Sequence, residues 1–124
     1  MIHLDTSVLV DALTGKRRSE PTLRRFIEDG ERIHLASLVV FEWRRGPRSP
    51  QEIEDQEILF PSDQAISFGA PEAVVAADLY RKLKRSRGRE VDIAIAACAI
   101  THHARLWTLN AGDFSDIPNL KLAV

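Results

Sequence analysis

The chain has 124 residues, room for one compact domain with a sheet and flanking helices but not for two. With 44% apolar and 28% charged residues it has the balance of an ordinary globule, and no run approaches the roughly 20 apolar residues of a membrane span. A formal net charge of -1 denies it a global basic footprint for nucleic acid, so any such binding must rest on local patches.

Ile2 to Leu4 is a short apolar run that ends in Asp5-Thr6-Ser7, followed by Val8, Leu9, Val10, Ala12 and Leu13 before Gly15: a strand, a tight junction and a short helix. Nothing in this opening resembles a signal peptide, so the mature chain is expected to start at Met1 and to be cytoplasmic. Pro21 opens a second helix through Ile27, and Ile33 to Ala36 reads as a second strand. Ser37 is placed to cap a helix carrying Phe41, Glu42 and Trp43 and ending near Gly46-Pro47. Pro50 to Leu59 is an acidic helix, expected to be mostly exposed. Ala65 to Phe68 is a short strand, and Pro71 starts a helix through Lys84. The almost wholly apolar stretch Val91 to His102 predicts a helix buried on most sides. Leu106 to Leu109 is a strand, Asn110 to Phe114 a polar loop, and Leu120 to Val124 a closing strand. Strands alternating with helices predict an α/β fold: a three-layer α/β/α sandwich around a parallel sheet of four to five strands, as one domain over residues 1–124.

In such a fold strand carboxyl ends and helix amino ends share one edge of the sheet. Asp5 ends the first strand, Asp113 follows the strand 106–109, and Asp92 lies in the first turn of the helix before it. Glu42 lies about five residues into its helix, roughly 7 Å along the axis, but helical side chains lean toward the amino end and Glu is long. Carboxylates within about 5 Å of one another repel by roughly 3 kcal/mol per pair at an effective dielectric near 20. A bound divalent cation resolves that conflict, and an all-oxygen donor set favours Mg2+ or Mn2+. Such a site predicts phosphodiester hydrolysis.

Singly, each acid has a plainer use: Asp5 or Asp92 as a helix cap, Glu42 in solvent, Asp113 in an Asx-turn. Thr6 and Ser7 could position a water or phosphate, or cap the helix. Asn110 and Asp116 could assist, Asp116 equally as a turn residue. Arg44-Arg45 and the cations from Arg85 to Arg89 adjoin the acid-bearing helices, and a basic rim around an acidic pocket suits an RNA backbone. Cys98, the only cysteine, permits no intrachain disulfide and no thiolate cluster.

Four pieces in order, Ile2-His3-Leu4-Asp5-Thr6-Ser7, Val40-Phe41-Glu42, Val91-Asp92-Ile93-Ala94 and Leu106-Trp107-Thr108-Leu109-Asn110 through Asp113, resemble the PIN-domain ribonucleases, specifically VapC-like toxins of toxin–antitoxin modules. The resemblance implies a Mg2+- or Mn2+-dependent endoribonuclease with Asp5, Glu42, Asp92 and Asp113 as metal-binding and catalytic residues. It also implies a homodimer and inhibition by a VapB-like antitoxin. The bulky Trp43-Arg44-Arg45 departs from relatives, and 53–69 matches nothing specific. Competing readings are a catalytically silent PIN-fold module acting through protein binding, and a phosphoacceptor receiver domain. The latter wants an acidic pair near the first strand and a late Lys, where this chain has Asp5 alone and Asn110.

Overall fold

The structure, a computed structural model, describes residues 1–124. The elements are β1 (Ile2–Leu4), α1 (Thr6–Leu13), α2 (Glu20–Glu28), β2 (Ile33–His34), α3 (Ser37–Arg45), α4 (Pro50–Leu59), α5 (Ala70–Lys82), α6 (Glu90–Thr101) and β3 (Arg105–Trp107), with short 3-10 turns at Ser62–Gln64 and Ala111–Asp113. The strands form one parallel sheet in the order β2-β1-β3, with Ile2 opposite Ile33 and Leu4 opposite Trp107. No helix is long and apolar enough to cross a membrane.

The sheet therefore has three strands where four to five were expected. Ile66 and Leu122 each make a single parallel bridge, to Ala36 and Leu106. The reason is the brevity of the strands they meet. In β3, Arg105 donates to Met1 and Trp107 accepts from Asp5, both on the β1 side, so only Leu106 is left to exchange bonds with Lys121 and Ala123 on the other. Alternation of backbone direction along a three-residue strand leaves one residue facing outward.

Helix starts follow local chemistry closely in one case and not in another. Ser49 and Glu52 form a reciprocal capping box at α4, Ser49 Oγ accepting from Glu52 N at 3.1 Å and Glu52 Oε1 from Ser49 N at 2.8 Å. Ser37, expected as a cap, is instead the first helical residue of α3, and Ala36 holds the extended cap position without a side-chain bond. Ser37 N is already satisfied by the Ile66 carbonyl across the bridge, so tertiary pairing sets this boundary.

The core is one cluster of 25 buried residues drawn from β1, β3 and all helices except α4, with Ile33 of β2 packed against it. Residues Ile93 to Ala99 of α6 are all buried, as the unbroken apolar run predicts. α6 packs on α5, α3 and β3, so its first turn is held firmly against the sheet edge.

His3 is the polar exception in β1. It is 1% exposed, both ring nitrogens lack a hydrogen-bond partner, and the His102 and His34 rings lie 6.0 and 6.4 Å away. Burial, and then the neighbouring His102 and His34, push its pKa down to about 4, so it is neutral in the folded protein. The unfolded chain takes up that proton near pH 6.5 and the folded chain only near 4, so stability is lost as pH falls through this window. Moving from pH 7.5 to pH 5 should cost the wild type about 2 kcal/mol through this group. Urea unfolding at the two values should show that loss, and His3→Leu should lack most of it; an equal loss in the variant would locate the effect elsewhere.

Candidate metal-binding active site

β1 ends at Leu4, and the next residue continues the ladder: Asp5 N donates to the Trp107 carbonyl at 2.8 Å. That register sets Asp5 beside Thr108, the residue after β3. Asp5 occupies the cap position of α1 in extended conformation, yet its carboxylate caps nothing. Its Oδ2 accepts from Ser7 Oγ and from Thr108 Oγ1, each at 2.8 Å, while Oδ1 takes no hydrogen bond from the protein. Asp5 is 5% exposed, so these two hydroxyls fix a nearly buried charge in one orientation.

The two hydroxyls tie the neighbouring loop in as well. Ser7 Oγ accepts from Leu109 N at 3.1 Å, and Thr108 Oγ1 from Asn110 N at 3.0 Å. Asn110 thus contributes its backbone, and its exposed side chain makes no hydrogen bond. Thr6 points to another element: its Oγ1 donates to Glu42 Oε1 at 2.6 Å. Glu42 therefore does reach back along α3 to the edge where Asp5 stands, and Arg45 approaches its other oxygen at 3.5 Å.

Asp92 lies half-buried in the first turn of α6. Burial pushes its carboxyl pKa up, and the charges of Asp5, Glu42 and Asp113 push it further, against the opposing effect of Arg89. The other three acids picked out in the sequence thus all bear on Asp92. Asp113 joins from the 3-10 turn at 111–113, and its side chain makes no Asx-turn bond. Asp116 has a different partner. Arg89 places both guanidinium nitrogens on its carboxylate, at 2.7 and 2.9 Å, and also donates to the Asp113 carbonyl at 2.8 Å. That hydrogen bond holds Asp116 below the usual carboxylate range.

A model of the PIN domain family matches residues 2–120. The chain belongs to the PIN domain family. Ribonuclease VapC19 of Mycobacterium tuberculosis is 33% identical over 120 residues, 95% of each chain. VapBC2 from Rickettsia felis, solved bound to a DNA fragment from its promoter, superposes with a TM-score of 0.80 at 26% identity, covering 99% of this chain and 98% of that one. DNA-bound VapBC from Salmonella typhimurium gives 0.82 at 20% identity, covering 98% and 96%, a likeness of fold. Membership removes the receiver-domain alternative.

Within this PIN domain no three His, Cys, Asp or Glu side chains are closed into a ready coordination sphere. The acids are within electrostatic reach of one another, with one nearby guanidinium offsetting them at Asp92. The donor set of these four acids is all oxygen, which suits a hard divalent cation better than a thiolate or imidazole site of the zinc type.

Two contributors escaped the sequence reading. Thr108 was visible only as a strand residue, although the pairing of the Asp5 strand with 106–109 would have set its hydroxyl against Asp5. Arg89 looked like one more cation in a basic run, and its fork on Asp116 depends on a loop 27 residues away. Thr108→Val, which deprives a buried carboxylate of one of two donors, should lower the unfolding free energy by about 1–3 kcal/mol. Thr6→Val removes a donor from the more open Glu42 and should cost less; equal costs in urea titrations would contradict the burial argument.

Proposed function

We propose that this chain is a metal-dependent endoribonuclease, the toxin of a VapBC-type toxin–antitoxin module. The observation that carries the reading is the carboxyl of Asp92, raised by its burial and then by the charges of Asp5, Glu42 and Asp113, since four acids at one sheet edge make sense around a shared cation. Membership of the PIN family and the similarity to Ribonuclease VapC19 supply the substrate class. Asp5 and Asp92 are the principal Mg2+ or Mn2+ ligands, with Glu42 and Asp113 completing the donor set directly or through water. When bound, the cation neutralises phosphate charge and acidifies the attacking water. Thr6 steadies Glu42, and Ser7 and Thr108 present Asp5 with one oxygen left free. Arg85 and Arg87 form a rim along which an RNA backbone would lie, whereas Arg44, Arg45 and Arg89 are already paired with Glu57, Glu42 and Asp116.

The further parts of the proposal are one domain over 1–124, helices on both faces of the sheet as right-handed crossovers require, a homodimer, a cytoplasmic location and a VapB-like antitoxin partner. VapBC assemblies among the structural relatives support the last of these.

Purified protein should cleave RNA with Mg2+ or Mn2+ and stop on addition of EDTA, and Asp5→Asn or Asp92→Asn should cut at least about 100-fold more slowly. Cleavage at the wild-type rate by both variants would overturn the assignment in favour of a silent binding module. Independently of turnover, Mn2+ should raise the melting temperature of the wild type more than that of Asp92→Asn, and in EDTA the variant should be the more stable of the two because a repulsive charge is gone.

A further inference from the structure

A groove of about 570 Å³ runs along α1, beginning at Thr6, Ser7 and Leu109 and ending at the turn that carries Lys16 and Arg18. Its near end is thus built from the residues that hold Glu42 and Asp5. Its far end is basic, and the three consecutive cations there are not equivalent. Gly15 and Arg17 both have positive φ, 57° and 50°, which splays the turn. Arg17 is drawn across to Asp55 on α4, at 3.4 Å, whereas Lys16 and Arg18 have no ion-pair partner and line the groove. Asp11, the one carboxylate along it, is occupied by the Ser19 hydroxyl at 2.6 Å. At the near end Leu109 is 49% exposed while Ser7 holds its backbone N–H, a fixed apolar surface beside the acids.

We infer that this groove holds the single-stranded continuation of the RNA beyond the scissile phosphate, with Lys16 and Arg18 as its distal phosphate contacts and Leu109 against a base or ribose near the cut. The inference rests on the ribonuclease reading and extends it to the residues that hold the RNA away from the cut. α1 is eight residues long, about 12 Å, and a stacked strand carries one phosphate per about 3.4 Å of axis, so the groove spans about three to four nucleotides.

The test is binding, read by fluorescence anisotropy in EDTA in an Asp92→Asn background, with single-stranded RNAs of 4 and 8 nucleotides. Lys16→Ala/Arg18→Ala should weaken the 8-mer at least about fivefold, reduce the slope of log affinity against log salt by about 1.4 for two lost phosphate contacts, and abolish most of the advantage of the 8-mer over the 4-mer. Arg81→Ala/Lys82→Ala, the same charge change on α5, should do neither. An unchanged salt slope in the first variant, or an equal effect of the second, would overturn the inference. So would binding of a glutamate-rich peptide that depends on Lys16 and Arg18 while RNA binding does not, which would give the groove to a protein partner. Should the wild type cleave no RNA with any metal, the hydrolytic reading falls, and the binding comparison still decides the groove.

Discussion

The pairing of β1 with β3 is the contact on which the site depends. Opposing Leu4 to Trp107 carries the ladder one residue further, so that Asp5 N meets the Trp107 carbonyl and the Asp5 carboxylate meets the Thr108 hydroxyl. A shift of one residue would turn Thr108 to the other face of the sheet and leave a nearly buried carboxylate with one donor. A carboxylate 5% exposed is tolerated only when hydrogen bonds replace its lost water, and here one donor, Thr108, stands where the register puts it and the other, Ser7, in the first turn of α1. The same hydroxyls accept backbone N–H groups of the following loop, so one pairing orients the acid and anchors the segment that leads to Asp113.

That arrangement stores an electrostatic conflict. Asp92 opens a helix whose next seven residues from Ile93 are buried, so its backbone is fixed near Asp5, Glu42 and Asp113. Its carboxyl resists ionisation because it is partly buried and, beyond that, because those three charges oppose it. An ordinary surface would relax by turning a side chain into water.

How legible this was in the sequence depended on the range of the interaction involved. Asp5 and Asp92 were readable because an apolar run ending in an acid, and an acid opening an apolar run, are local signals of where a strand ends and a helix begins. α4 was readable to the residue because its capping box and Pro50 are contained within four positions. The number of strands was not, since Ile66 and Leu122 have strand-like neighbours but meet partners too short to continue the ladder. Ser37 failed as a cap for a related reason: its backbone N–H was already taken by Ile66, 29 positions on. Thr108 and Arg89 likewise act through residues 103 and 27 positions away, and no local pattern marks them.

Arg89 shows how the basic run and the acidic pocket are joined. Its guanidinium is committed to Asp116, the Asp113 carbonyl and the Arg85 carbonyl, so it serves as a clamp between the entry to α6 and the loop that carries Asp113. Being charged, it also partly offsets the field at Asp92. One side chain therefore sets where Asp113 stands and how strongly Asp92 is repelled. A lysine there would keep the charge but could not span two carboxylate oxygens and a carbonyl with a planar fork. The cations left free for an RNA backbone must then be sought among those without such commitments, and Lys16 and Arg18 at the far end of α1 meet that condition where Arg17 and Arg89 do not.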